Sequence, residues 1–154
     1  MTNKQTKIGI ETTYEDSDEV DVEFMWADAV GDNHYQLKNF PFYAYGISFD
    51  DVVEAHPKDD EDPYPYLTKV IKKSGHRTLR IILDESAKES ERSQQLLQAI
   101  ASMGCGYEGM NGKTYFVVNV QPHCDFDAVR DFLNDEDIRW EYADPTFDEM
   151  QAVD

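Results

Sequence analysis

Apolar and polar residues alternate from Val20 to Asp28, which is the pattern of a β-strand with one face on a core and the other in water. The apolar series, which we expect to face the core, is Val20, Val22, Phe24 and Trp26. The intervening series, which we expect to face solvent, is Asp21, Glu23, Met25 and, further on, Asp28. The segment is therefore predicted to be a half-buried strand.

Short strands and loops account for the rest of the first half. A turn at Gly31–Asn33 predicts a hairpin over residues 20–37, and residues 7–14 are a candidate edge strand. Residues 39–46 are aromatic but aperiodic and predict a loop over the core. A short strand at Val52 and Val53, an exposed acidic loop at 58–63 and a strand at 64–73 follow. Without a helix, this half is predicted to be a small antiparallel β-barrel or a curled sheet.

Two predicted helices interrupt the strands of the second half. Residues 78–83 predict a strand, and Ser86 with Glu89 has the spacing of a capping box, so a helix should follow up to Gly104. Asn111–Gly112 predicts a hairpin turn, and Asp125 should cap a second helix. Residues 138–142 predict a last strand.

The resulting order, β-α-β-β-α-β, predicts a ferredoxin-like unit, and the whole chain is predicted to be α+β. The domain boundary is placed between residues 1–77, the barrel-like subdomain, and residues 78–154, the ferredoxin-like subdomain. The acidic tail from Asp144 is expected to be only loosely tied to the second subdomain.

Negative charge dominates the composition. The 154 residues contain 32 Asp and Glu against 14 Lys and Arg, a formal charge of -18. This balance disfavours nucleic acid and anionic membranes as partners and favours a basic protein, although a generic acidic surface that keeps the protein soluble remains the alternative. We expect the aromatic residues Tyr115, Phe116 and Trp140 to pack in the core rather than to stack on RNA.

Neither a cofactor nor a metal is expected. Cys105 and Cys124 are too few for a disulfide framework, and no apolar segment is long enough for a signal peptide or a membrane span, so a cytoplasmic protein is predicted. Cys105, His123 and Cys124 could in principle bind zinc, but their spacing is unlike that of known sites.

Motifs of catalysis are also missing. The chain has no nucleophile elbow and no glycine-rich phosphate loop, so it is predicted not to be an enzyme. The alternative is a small hydrolase or nucleotide-processing enzyme with a site near His76 and Arg77, where a cation stands beside a titratable imidazole.

Several segments together resemble a bacterial family of unknown function, numbered four-two-six-five, from about Val22 to Tyr142. They are Trp26, the run 35–42, the run 46–55 with Asp51-Val52-Val53, and the run 74–80 with Ser74-Gly75-His76. The resemblance implies no enzymatic activity and no catalytic residues. It implies instead a small cytosolic protein of the kind that protects against secreted antibacterial toxins.

The working hypothesis is therefore a non-enzymatic acidic binding protein, most concretely an immunity protein that covers the active or substrate-binding site of a basic toxin domain. Acidic clusters at 15–19, 59–62 and 135–149 would steer the partner, and neighbouring tyrosines would supply contact area. The predicted partner-binding residues are Asp59, Asp60, Glu61, Asp62, Tyr64, Tyr66, Asp135, Glu136, Asp137, Asp148 and Glu149. A regulatory subunit is a second alternative.

Overall fold

Five strands form the first part of the chain in the computed structural model, which describes residues 5–13, 18–109 and 113–152. They are β1 (Gln5–Thr13), β2 (Val20–Gly31), β3 (His34–Leu37), β4 (Val52–His56) and β5 (Tyr66–Lys72). Consecutive strands pair antiparallel, and β5 returns to β1 through one parallel pair, Gly9 with Tyr66. The pairing therefore runs around a ring. β1, which was predicted as an edge strand, has a partner on both sides.

The inward side of these strands carries mainly aliphatic side chains. The buried cluster is Ile8, Ile10, Met25, Ala27, Leu37, Ala44, Ile47, Val53 and Ala55. Residues 39–46 form no helix or strand, as predicted.

The predicted orientation of β2 is wrong. Met25 and Ala27 are buried, whereas Phe24 and Trp26 are exposed to solvent. Alternation reveals that a strand has two faces, but it does not reveal which face meets the core. Met25 and Ala27 pack with the other buried aliphatic residues of the first unit, and the larger rings of Phe24 and Trp26 lie on the outer face of the strand.

The second part of the chain contains four strands and three short helices among its described residues. They are β6 (Arg77–Ile82), α1 (Glu91–Ser102), β7 (Cys105–Gly109), β8 (Tyr115–Val120), α2 (Phe126–Asp135), β9 (Arg139–Asp144) and α3 (Phe147–Gln151). The sheet has the order β7-β8-β6-β9, and every neighbouring pair is antiparallel. The predicted turn at Asn111–Gly112 lies outside the described residues, although the hairpin of β7 and β8 that flanks it is present.

One face of this sheet packs with the two longer helices. Leu96, Leu97 and Ile100 of α1 and Val129 and Leu133 of α2 lie in the same buried cluster as the β6 residues. Both predicted helices are thus confirmed, and each presents an apolar stripe to the sheet. Phe116 belongs to this cluster and Trp140 packs against it, as expected, whereas Tyr115 is not part of it.

The start of α1 differs from the prediction. Its N-cap is Ser90, whose side chain accepts a hydrogen bond from the Ser93 backbone amide at 3.1 Å. Ser86 instead begins a separate turn, in which its carbonyl accepts from the amides of Glu89 and Ser90. Two serines four residues apart compete for the cap, and the later one lies next to the apolar stripe. Asp125 is confirmed as the N-cap of α2, and Gly104, at φ 90°, follows Met103, the C-cap of α1.

The acidic tail is more ordered than predicted. Thr146 and Glu149 form a reciprocal capping box that starts α3, and Phe147 lies 6.5 Å from the ring of Tyr142. Met150 packs on the cluster of the second sheet. The T-x-x-E signal was present in the sequence, but the surrounding acidic residues obscured it.

The chain is thus sheet-rich, with two sheets and three short helices in its described residues, which confirms the α+β class. Contacts divide it into two compact units, Met1–His76 and Arg77–Asp154. No helix among the described residues is long and apolar enough to cross a membrane.

Candidate functional site: an aromatic surface beside an acidic loop

Large apolar side chains line the outward face of β2. Val22, Phe24 and Trp26 are between 41% and 46% exposed, and Val20 at the start of the strand is 50% exposed. They follow one another at every second residue and therefore lie on the same side of the strand. Surface apolar residues are common singly, but a continuous row on one strand is a candidate interface.

Two tyrosines extend this row across the ring closure. The Phe24 ring meets Tyr64 at 5.7 Å and Tyr66 at 6.1 Å, both edge to face. Tyr66 lies over Gly9, since a Cβ added there would stand 2.6 Å from the Tyr66 ring. The surface formed by Val22, Phe24, Trp26, Tyr64 and Tyr66 is hereafter the aromatic surface.

Two lysines border the aromatic surface, and both are already engaged. Lys7 lies over the Trp26 ring at 5.2 Å, and Lys58 lies over the Tyr66 ring at 4.8 Å. Lys58 also forms an ion pair with Glu11. These cations stabilise the outward position of the rings but leave little free positive charge at the border.

The predicted acidic residues 59–62 form the loop that leads into Tyr64, and we call it the acidic loop. Two of its carboxylates organise the backbone: Asp62 accepts from the Lys58 amide at 3.1 Å, and Asp59 accepts from the Glu61 amide at 2.9 Å. Asp60 and Glu61 are exposed, and neither has an ion pair with any described residue. The structure thus places the predicted residues Tyr64 and Tyr66 against Phe24 of β2, which sequence reasoning assigned to the core.

The predicted residues of the second unit form two separate groups. Asp135 ends α2, and Glu136 and Asp137 follow it, with Arg92 donating to the Glu136 carbonyl at 3.1 Å. Glu136 and Asp137 also line a cleft of about 240 Å³. Asp148 and Glu149 lie in α3, where the Glu149 carboxylate accepts from the Thr146 amide at 3.0 Å and is therefore used in the helix cap. In the acidic cluster at 15–19, residues 15–17 lie outside the described part of the chain.

Sequence reasoning missed two carboxylates with structural roles. Glu23 reaches back from β2 to the 40–46 loop and accepts from the amides of Phe42 at 2.6 Å, Tyr43 at 3.1 Å and Ala44 at 2.9 Å. Because Glu23 was placed on the solvent face of an alternating strand, no sequence signal pointed to this contact.

Asp51 is the second, and it joins the segments that carry the family resemblance. Its fully buried carboxylate accepts from the amides of Ser48 and Ser74, both at 2.8 Å, and pairs with Lys73 at 2.6 Å. The Asp51-Val52-Val53 and Ser74-Gly75-His76 segments thus meet through one side chain. The aspartate in the motif was a usable signal, but its burial could not be read from the sequence.

His76 and Arg77, the alternative catalytic pair, have different surroundings. The His76 imidazole lies 3.9 Å from the Asp50 carboxylate and edge-on to Phe49 at 5.3 Å. Arg77 packs over the Phe126 ring at 4.5 Å and donates to the Cys124 carbonyl at 3.0 Å. The guanidinium of Arg77 therefore has a packing role within the second unit.

The two cysteines are free. Cys124 and His123 both approach Gly104, where an added Cβ would stand 2.6 Å from the sulfur and 3.6 Å from the imidazole. Burial, with a smaller contribution from Cys124, raises the pKa of the Cys105 thiol to about 11. Over the described residues, no group of three His, Cys, Asp or Glu side chains is arranged to hold a metal ion.

Residues 23–142 match the model of a domain of unknown function, DUF4265. The chain belongs to the DUF4265 family. The match begins at Glu23, which anchors the 40–46 loop, and it spans the acidic loop, the Asp51 cluster and all of the aromatic surface except Val22. No curated protein matches the chain.

A solved structure shares the fold of this DUF4265 protein. It is a crystal structure of a hypothetical protein from Neisseria gonorrhoeae, with a TM-score of 0.74 and 20% sequence identity. The similarity covers 93% of this chain and 96% of that chain. At this identity the likeness concerns the fold alone.

Proposed function

We propose that this DUF4265 protein is a non-enzymatic acidic binding protein, and most concretely an immunity protein that neutralises a basic toxin domain by covering its active or substrate-binding site. The observation that carries the proposal is the aromatic surface, because Phe24 and Trp26 remain 46% and 44% exposed on a strand whose other face is core. Aromatic side chains are enriched among the residues that dominate protein–protein affinity.

The sign of the partner's charge follows from the acidic loop. Asp60 and Glu61 have no ion pair among the described residues, and the neighbouring lysines Lys7 and Lys58 are held over aromatic rings. The net charge of -18 adds long-range attraction for a cationic partner. A partner with an apolar patch bordered by Lys or Arg therefore complements this surface.

The acidic residues of the second unit are proposed as a further contact. Asp135, Asp137 and Asp148 are exposed and carry carboxylates that would attract the same basic partner. Glu136 and Glu149 contribute charge while holding Arg92 and the Thr146 amide.

We also infer the finer architecture and the compartment. The ring of pairings from β1 to β5 supports a small β-barrel, and the order β-α-β-β-α-β with the sheet order β7-β8-β6-β9 supports a ferredoxin-like unit. Two free cysteines are in keeping with a reducing cytoplasm, which cell fractionation would test.

The first test is to co-express the wild-type chain with the candidate toxin that is encoded next to its gene. We expect protection of the cells and copurification of the two proteins. A Phe24→Ala/Trp26→Ala double variant should weaken the complex at least about 30-fold, since hot-spot truncations cost about 2 kcal/mol or more. Tyr107→Ala removes a similarly exposed aromatic ring from the second unit and serves as the matched control.

Charge is tested separately by kinetics. Asp60→Lys/Glu61→Lys should slow association and flatten its salt dependence, because rim charges act mainly on the on-rate. Asp32→Lys makes the same kind of change at the exposed turn between β2 and β3 and should have a smaller effect. Protection that survives both double variants would contradict the proposed surface, and a chain that neither protects nor copurifies would favour the hydrolase or regulatory-subunit alternatives.

A further inference from the structure

A cleft of about 290 Å³ lies in the first unit, apart from the residues of the aromatic surface. Its polar lining consists of Gln36, Asp50, Lys72, Lys73, Ser74 and His76. Four of these six residues come from the end of β5 and the connection after it, which the Asp51 carboxylate ties to the 46–51 segment. The cleft therefore has a fixed wall.

Lysine is concentrated around this cleft. Of the six lysines that the structure describes in the first unit, Lys38, Lys72 and Lys73 lie in or beside it. A local concentration of lysine is unusual in a chain whose net charge is -18.

The carboxylates of the cleft do not cancel all of this positive charge. Asp50 pairs with Lys38 at 2.7 Å, and Asp51 pairs with Lys73 at 2.6 Å. Lys72 is exposed and forms no ion pair with a described residue. One ammonium group thus remains in excess.

The backbone of Asp50 is held in place at the edge of the cleft. It has φ 68°, its amide donates to the Leu37 carbonyl at 2.8 Å, and its carbonyl accepts from the Gln36 side chain at 3.5 Å. One carboxylate oxygen of Asp50 pairs with Lys38 at 2.7 Å, and the other lies 3.9 Å from the His76 imidazole.

We propose that this cleft binds a small anion, a carboxylate or phosphate group, between Lys72 and His76. The size sets the limit: about 290 Å³ lies at the lower end of the range for small-molecule pockets, which suits a single charged group rather than a nucleotide. The ammonium of Lys72 supplies the charge, and the imidazole of His76 and the amide of Gln36 supply hydrogen-bond donors. The site does not depend on the proposed toxin partner.

Binding is tested with inorganic phosphate and with acetate, by titration calorimetry and by backbone amide shifts in the NMR spectrum of the full chain at low salt. The expected dissociation constant for the better probe is about 1 mM, and the amides of residues 72–76 should shift. Comparison of the two probes distinguishes a phosphate site from a carboxylate site.

Two lysine variants distinguish binding of the anion in this cleft from a general electrostatic effect of the surface. Lys72→Gln should weaken binding about tenfold, because a hydrogen bond to a charged group is lost. Lys69→Gln is the matched control, because Lys69 is also exposed on β5 but lies near Glu54. The pKa of Glu54 is lowered mainly by its hydrogen bond with His56 and also by the charge of Lys69. No binding of either probe at roughly ten times the expected dissociation constant, or an equal loss in both variants, would overturn the proposal.

Discussion

β2 in the first unit and β6 in the second unit show how similar sequence patterns lead to opposite exposures. In β6, Leu79 and Ile81 face the core, and α1 and α2 supply further side chains to the same cluster. In β2, Phe24 and Trp26 face solvent, and only Met25 and Ala27 contribute to the core. Covering helices account for the buried face of the second sheet, whereas the described residues of the first unit contain no helix. The outward aromatic residues of β2 therefore have no helix of their own unit over them.

The largest expected effect contrasts these two strands directly. Ile81→Ala should lower the free energy of unfolding by about 3–4 kcal/mol, because a fully buried aliphatic side chain is lost and a cavity remains. Trp26→Ala should lower it by less than about 1 kcal/mol, because the ring is half exposed. Urea unfolding of both variants measures the difference. A cost for Trp26→Ala as large as that for Ile81→Ala would mean that β2 packs against part of this chain.

A buried carboxylate and an exposed one provide the next contrast. Asp51→Ala should cost about 2–3 kcal/mol, since two backbone amides and Lys73 lose their acceptor. Asp60→Ala, in the acidic loop, should change the stability by less than about 0.5 kcal/mol. Thermal unfolding at matched salt checks both values, and an unchanged melting temperature for Asp51→Ala would show that the Asp51 cluster does not stabilise the fold.

The buried Cys105 of the second unit predicts that stability depends on pH at alkaline values. The first unit contains no cysteine and should show no such contribution. Burial raises the pKa of Cys105 in the folded state from 9.0 to about 11. Between these values the unfolded thiol has lost its proton while the folded thiol keeps it, so stability should fall as the pH rises from about 9 to about 11. Urea midpoints across this range should decline less steeply in Cys105→Ala, and the same slope in both proteins would contradict the assignment.

The smallest expected effect compares the two ends of α2. Asp135 lies at the negative end of the helix dipole, whereas Asp127 lies in the first turn, where a carboxylate is favourable. Asp135→Asn should therefore stabilise the protein by about 0.3–1 kcal/mol, and Asp127→Asn should destabilise it by a similar amount. If Asp135→Asn also weakens the complex with the basic partner, the acidic end of α2 is maintained for binding at a cost in stability.

These contrasts also show where sequence reasoning succeeded. Periodicity placed β2, β6 and both longer helices, because alternation and helical stripes depend on local geometry. Asp125 was identified as a cap for the same reason. The choice between Ser86 and Ser90 needed the packing of α1, and α3 was missed although Thr146 and Glu149 carried its signal.

The candidate surface was only partly accessible from the sequence. Tyr64, Tyr66 and the acidic loop were identified because charge and aromatic residues are adjacent in the chain. Phe24 and Trp26 were not, since the inner and outer faces of β2 are decided by partners distant in sequence. Glu23 and Asp51 could not be distinguished among 32 acidic residues by composition.

The pairing of β5 with β1 and the position of the Tyr66 ring both depend on Gly9. It provides the one parallel pair that returns β5 to β1, and its lack of a side chain leaves room for the Tyr66 ring beside Phe24. If the aromatic surface binds the proposed partner, exchange of Val22 or Trp26 should alter that binding with little effect on the architecture. A side chain at Gly9 would instead displace Tyr66 and disturb the pairing of β5 with β1 at the same time.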